Sequence, residues 1–141
     1  MTPKERAKQS AKAMWAEDWA SQTHGFVLHA VDEGSATLSV DVAARHANGH
    51  GICHGGVIYS LADSAFAYAC NSRNQNTLAQ HCVITYVTTA GLGDRLIATA
   101  TEISTRKRNG IYDVKVTNQK NEIVAEFRGF SRTIAGSVFQ E

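Results

Sequence analysis

Apolar and polar residues alternate along much of this chain, with one long interruption at helical spacing. From Ser35 to Val42 the residues Ala36, Leu38, Val40 and Val42 alternate with Thr37, Ser39 and Asp41, the pattern of a half-buried strand. Phe26 to Val31 can pair with it through a turn near Asp32-Glu33-Gly34. The period then changes. Val57, Ile58, Leu61, Ala62, Ala65, Phe66 and Ala69 recur at the spacing of a helix with a broad apolar face, which predicts a helix over Val57 to Cys70. Period two resumes afterwards, and Ala79 to Thr88, Leu96 to Ile103, Ile111 to Thr117 and Ile123 to Thr133 read as strands. Turns fall at Gly91-Leu92-Gly93-Asp94, at Asn109-Gly110 and at Asn118 to Asn121. A lead-in helix from Lys4 to Trp19 precedes all of this, with Trp15 and Trp19 one turn apart as aromatic anchors. There is no internal repeat or linker, so residues 1–141 read as one domain whose first 20 residues form the lead-in. The order is helix, two strands, long helix, four strands: an α+β architecture of antiparallel strands around one central helix.

Composition narrows the possibilities. A chain of 141 residues with 43% hydrophobic residues can build a real core. Fourteen Lys and Arg against 13 Asp and Glu give no electrostatic case for binding nucleic acid or an anionic membrane. The cysteines Cys53, Cys70 and Cys82 are odd in number and form no C-x-x-C, which points to a reducing, cytoplasmic setting. No apolar run is long enough to span a bilayer, and the Lys-rich N-terminus lacks the apolar core of a signal peptide.

Candidate chemistry concentrates in one stretch. Between Ala47 and Ser72 the sole Asp, Glu, Lys or Arg is Asp63. A lone carboxylate on an apolar helix is costly unless it is paired or beside solvent. A merely solvated Asp would keep company with other charges, and here there are none. His54-Gly55-Gly56 stands where a Gly-rich loop enters that helix. The first turn of a helix offers unpaired N–H groups and the positive end of the dipole, and glycine lets a ligand oxygen approach them. Such an N–H can stabilise an oxyanion; the plainer role of the glycines is a tight turn. Asn48 has a donor and an acceptor with which to orient water or a carbonyl, although alone it would read as a turn residue. Gly55 and Asp63 are eight residues apart, hence about 12 Å along one straight helix. To act on one carbonyl they must come from two subunits, as a twofold pair would arrange.

Other groupings carry less. His46, His50 and His54 recur every four residues beside Cys53, but the surrounding glycines oppose the helix that would gather them on a metal, and no metal site is expected. Cys53 beside His54 matches no cysteine-hydrolase signature and reads as a buried thiol. Arg106-Lys107-Arg108 before Asn109-Gly110 forms a basic hairpin tip, ordinarily solvated but able to hold phosphates.

The segments Asn48-Gly49-His50, Cys53-His54-Gly55-Gly56 and Ser60 to Asn71 closely resemble the hotdog-fold acyl-CoA thioesterases of the PaaI type. Gly93-Asp94, Gly110 to Val114 and Phe127-Arg128-Gly129 are similar too, so the resemblance covers most of the chain after residue 20. It implies a curved antiparallel sheet wrapped around the long helix, a dimer with sites across its interface, and a tetramer built from two dimers. It implies hydrolysis of aryl-acetyl thioesters, including ring-hydroxylated forms, to free acid and coenzyme A in phenylacetate degradation. Coenzyme A is then part of the substrate, and no separate cofactor is expected. Carried onto this sequence, Asp63 is the general base or nucleophile, and the Gly55 N–H polarises the carbonyl. Asn48 and His54 position water, carbonyl or leaving thiol. Ser64 lines the acyl pocket. Apart from the resemblance, Gly56 and the basic stretch Arg106, Lys107, Arg108, Asn109 and Gly110 are candidate substrate contacts. One departure stands out. Relatives often place a water-orienting serine early in the strand after the helix, where this chain reads Thr77-Leu78-Ala79-Gln80-His81-Cys82. Thr77, Gln80 and His81 are the replacements on offer, unless Asp63 works without help. A hydratase or dehydratase using His54 with Asp63, and a non-catalytic acyl-CoA binder, are the competing readings.

Overall fold

The computed structural model describes residues 1–141. Helix α1 (Pro3–Trp15) is started by Thr2, whose side chain accepts from the Glu5 N–H while Glu5 reaches back to the Thr2 N–H. This is a capping box with Pro3 in the first turn. The lead-in is not one helix to Trp19. It breaks after Trp15, and a short helix α2 (Trp19–Thr23) begins at Asp18, whose carboxylate accepts from the Ser21 N–H at 3.1 Å. The other oxygen of Asp18 accepts from the Tyr68 hydroxyl at 2.9 Å. The break also corrects the expectation of two aromatic anchors. Trp15 packs on the Tyr68 ring, with centroids 6.2 Å apart, whereas Trp19 is 68% exposed. Helical spacing placed both rings on one face, and the interruption turns the second outward.

Strands β1 (Val27–Asp32) and β2 (Ser35–Asp41) form the first hairpin, closed at Glu33 and Gly34, with Gly34 at φ +77°. A single 3-10 turn (Ala44–His46) and a loop lead into the central helix α3 (Gly55–Cys70). Four strands follow: β3 (Thr77–Tyr86), β4 (Arg95–Arg106), β5 (Asn109–Thr117) and β6 (Ile123–Thr133). All six join one antiparallel sheet in the order β1-β2-β4-β5-β6-β3. The sheet packs around α3 as the hotdog reading expects.

The core is the seam between α3 and the sheet. Leu61, Ala62, Ala65, Phe66 and Ala69 on the helix meet Leu38, Val40, Leu96, Ala98, Ala100, Val114, Val116 and Phe127, all buried. Alanines on both sides let helix and sheet approach closely, and Phe66 fills the space between them beside Tyr112 and Phe127. Gly129 on β6 lies directly under the Phe66 ring: a Cβ there would sit 2.8 Å from three ring atoms.

Two details differ from expectation. Helix α3 begins at Gly55, two residues before the apolar periodicity. The Asn109-Gly110 pair is not the tip of its hairpin. Arg106 pairs with Asn109, so Lys107 and Arg108 make the turn, with Lys107 at φ +57°. Gly110 is buried inside β5, where a Cβ would meet the Ser131 hydroxyl at 2.6 Å and the Tyr112 ring at 2.9 Å. Its glycine serves close packing rather than turn geometry.

The sheet has two edges. Helix α1 packs against β1, while β3 has no neighbour on its outer side. That strand is ten residues long and exposes Leu78 and Val83, 58% and 51% accessible. An open apolar edge of this length invites pairing. No helix is long and apolar enough to cross a membrane.

Gly129→Ala should destabilise the protein by about 1–3 kcal/mol, because the buried Phe66 ring must move. Denaturant unfolding measures this, and adding Phe66→Leu to the same chain should recover part of the loss.

Candidate active site

The loop before α3 is held from both sides. Ala47 bridges Cys53, Ile52 bridges Gly91, and the His54 N–H donates to the His46 carbonyl at 2.7 Å. Gly51 takes φ +75° where the loop reverses. His46 is buried, and both of its ring nitrogens are bonded to backbone. Nδ1 accepts from the Ala43 N–H at 2.9 Å, and Nε2 donates to the His24 carbonyl at 2.8 Å. It is a fastener for the base of the loop. His50 and His54 are exposed, so the four-residue spacing of the three histidines does not gather their rings.

Asn48 is half-buried, and its side-chain oxygen accepts from the His50 N–H at 2.9 Å and the Ile52 N–H at 3.4 Å. The acceptor half expected to orient water is therefore committed to the turn. The amide NH2 is left without a partner in the chain.

His54 caps α3. Its Nδ1 accepts from the Gly56 N–H at 2.8 Å, which requires the proton on Nε2. The exposed ring thus presents a fixed N–H donor to solvent. Glycine is needed at 56, since a Cβ would lie 2.9 Å from that Nδ1. The Gly56 N–H is taken by this cap, so any substrate contact at Gly56 would have to use another atom. The Gly55 N–H has no acceptor in the chain and opens the helix with its dipole behind it. The capping imidazole explains how two glycines can begin a helix that apolar spacing starts at Val57.

Asp63 lies two turns further on, about 12 Å from Gly55 along the axis. It is half-buried and has no hydrogen-bonding or charged partner within the chain. Burial alone raises its pKa above the ordinary aspartate value. Its surroundings are weak acids kept neutral. Burial, then the approach of Cys82 and the Asp63 charge, push the Tyr59 phenol up to about 12. Burial and the Asp63 charge likewise push Cys70 up to about 12. Tyr59 reads from sequence as an ordinary member of the helix, and Cys82 only as one of three free cysteines.

The remaining candidates divide. The Ser64 hydroxyl pairs with the buried Ser21 of α2 at 3.1 Å. Arg106, Lys107, Arg108 and Asn109 are exposed at the β4–β5 hairpin. That hairpin sits at the far end of α3: the Arg108 carbonyl accepts from Thr133, which pairs with Thr77, which is clamped by Asn71 just after Cys70. Lys107, Asn109 and Gly110 border a small polar cavity of about 200 Å³ there, together with Arg73 and Thr77. A 16-residue helix, about 24 Å, separates them from the Gly55 of their own chain. Among the replacements for the missing serine, Thr77 donates to the Gln75 carbonyl and pairs with Thr133, and the His81 ring packs on Phe130. Gln80 is the unpaired residue of a bulge between Ala79 and His81, a feature that re-aims a side chain.

One antiparallel sheet wrapped around a central helix is the fold of the hotdog thioesterases. Residues 50–125 match the family model described as the thioesterase superfamily. The chain belongs to that family, as an acyl-CoA thioesterase of the PaaI type. It is 41% identical over 136 residues to the acyl-coenzyme A thioesterase PaaI of Escherichia coli strain K12, covering 96% of this chain and 97% of the relative. The solved structure of the E. coli PaaI protein from the phenylacetic acid degradation operon superposes with a TM-score of 0.94 at 40% identity, over 96% of this chain and 99% of that one. A single-residue mutant of the phenylacetic acid degradation protein PaaI from Thermus thermophilus matches with a TM-score of 0.80 at 34% identity, over 83% of this chain and all of that one.

The raised pKa of Asp63 has a definite sign. The unfolded chain releases this proton at lower pH than the native one, so stability falls as pH rises from the ordinary aspartate pKa through the raised native value. Asp63→Asn should therefore raise the melting temperature at neutral pH, and the gain should vanish below the ordinary aspartate range. Melting curves across pH measure it.

Proposed function

We propose that this chain hydrolyses phenylacetyl-CoA and related aryl-acetyl thioesters, ring-hydroxylated forms included, to free acid and coenzyme A in phenylacetate degradation. The observation that carries the reading is the pairing of an unused Gly55 N–H at a helix start with the unpartnered, pKa-raised carboxylate of Asp63. The PaaI relatives support the aryl-acetyl class. The thioester oxygen binds at the Gly55 N–H. Asp63 takes a proton from water as the water oxygen attacks the carbonyl carbon, and the Gly55 N–H holds the resulting oxyanion. Collapse breaks the C–S bond, the thiolate leaves with a proton, and the acid remains. The His54 Nε2–H and the Asn48 NH2 are the donors facing this centre, and Gln80 takes the place of the water-orienting serine. The chemistry needs no bound cofactor or metal, because coenzyme A arrives as part of the substrate.

Each active site joins Gly55, His54 and Asn48 of one subunit to Asp63 of another. The open β3 edge supports this assembly. Two copies pairing β3 to β3 antiparallel about a twofold axis would continue the sheet. The same reversal sets the β4–β5 hairpin of one copy near the glycine turn of the other, so that Arg106, Lys107 and Arg108 meet the coenzyme A phosphates. A tetramer made from two such dimers is the assembly the family resemblance implies. Residues 1–141 act as one domain, and three free cysteines suit the cytoplasm.

Phenylacetyl-CoA should yield free thiol with the protein, followed with a thiol reagent, and Asp63→Asn should lose about a hundredfold or more in kcat with little change in coenzyme A affinity. Hydration of an enoyl-CoA without thiol release would reverse the assignment. A single turnover in ¹⁸O-water should leave the Asp63 carboxylate unlabelled; label in it would mean direct attack.

Asn48→Ala and Asp63→Ala chains, each inactive, should regain about a quarter of wild-type activity when mixed and re-assembled, because half the dimers then carry one intact site. Verified hybrids without activity would exclude the shared site.

A further inference from the structure

The opening turn of α3 poses a mechanical difficulty. Consecutive glycines have the freest backbone of any pair, yet an oxyanion donor must be aimed within a fraction of an ångström. The structure contains an answer outside the residues discussed so far. The Tyr86 hydroxyl, at the end of β3, donates to the Gly55 carbonyl at 2.8 Å. Its ring lies over the glycine: a Cβ at Gly55 would sit 3.3 Å from the Tyr86 Cζ. One residue on, the Ser60 hydroxyl donates to the Gly56 carbonyl at 2.8 Å. Both glycine carbonyls of the first turn thus carry a side-chain hydroxyl.

The Tyr86 bond also continues. It lands on the peptide group whose N–H belongs to Gly56, and that N–H donates to the His54 Nδ1 at 2.8 Å. Hydroxyl, peptide and imidazole form one directional chain ending at the outward His54 Nε2–H. Each donor in such a chain polarises the next. The bond fixes the Gly55–Gly56 peptide plane, and with it the tautomer of His54. The preceding peptide, which carries the Gly55 N–H, is held by the His54 carbonyl, which accepts from the Val57 N–H at 2.9 Å, so the turn is restrained on both sides of Gly55.

We propose that Tyr86 is a positioning residue for thioester hydrolysis, its hydroxyl locking the Gly55-Gly56 turn so that the Gly55 N–H and the His54 Nε2–H point together at the reacting carbonyl. The proposal rests on the assignment of the Gly55 N–H as the oxyanion donor. It predicts an effect on the transition state and little on ground-state binding, since the lock changes no substrate contact.

Tyr86→Phe keeps the ring over Gly55 and removes the hydroxyl alone. With phenylacetyl-CoA, kcat should fall about three- to tenfold while KM stays within about twofold. Backbone amide exchange at Gly56 should accelerate, and melting temperature and assembly state should hold. Ser60→Ala should show the same signs more weakly. Unchanged kcat with unchanged Gly56 exchange would overturn the proposal. So would a loss of kcat that merely tracks a lower melting temperature or a dissociated assembly. If wild-type protein released no thiol from any aryl-acetyl-CoA, the proposed function would fail by itself. The Gly56 exchange comparison would still decide whether Tyr86 locks the turn.

Discussion

The constraint on which this structure depends is the enclosure of α3. A helix wrapped by a sheet on most of its circumference must be apolar there and small where strands approach. Ala62, Ala65 and Ala69 meet that demand opposite Ala98 and Ala100, and Gly129 meets it under Phe66. In such a segment every polar group is conspicuous, because each must find a partner or reach solvent. Tyr68 finds Asp18, and Tyr112 donates to Glu102. Asp63 finds nothing in its own chain. The carboxylate is held half out of water, where burial disfavours its charged form; the Ser10 hydroxyl is the other buried polar group without a partner.

The same enclosure separates the parts of the site. A straight helix cannot bring its first turn and its middle to one atom. It cannot bring its C-terminal end there either, where the basic hairpin stands. The sheet order leaves β3 as an open edge running alongside α3. A second copy added there would resolve the separation and shield the edge at once. Under the proposed assembly, incompleteness of the monomer's site and incompleteness of its sheet are one geometrical fact.

The opening turn of α3 shows how softness and precision coexist. Glycine at 55 leaves room for the Tyr86 ring, and glycine at 56 makes room for the capping imidazole. The freedom this introduces is restrained from outside the turn, by His54, Ser60 and Tyr86. Their partners are backbone groups, so the restraint asks nothing of the glycines beyond lacking side chains.

Much of this was legible in the sequence, because periodicity reports which face of an element is buried and that is decided locally. Strand β6 fell where alternation placed it, α3 where the 3.6-residue spacing did, and Asp63 stood out because burial excludes charge from its neighbours. The tertiary structure decided what depends on partners distant in the chain. The lead-in helix breaks because Asp18 caps α2 and receives Tyr68, fifty residues away. The Asn109-Gly110 pair imitates a turn, but Gly110 packs against Ser131 on the neighbouring strand. The Gly56 N–H is occupied by the His54 ring, a cap that periodicity does not announce. Tyr86 was one more member of an alternating strand, and only the closing of β3 against the start of α3 gave its hydroxyl a partner. Sequence pattern records which residues must avoid water, and it does not record which polar groups will meet, because that depends on how the elements pack.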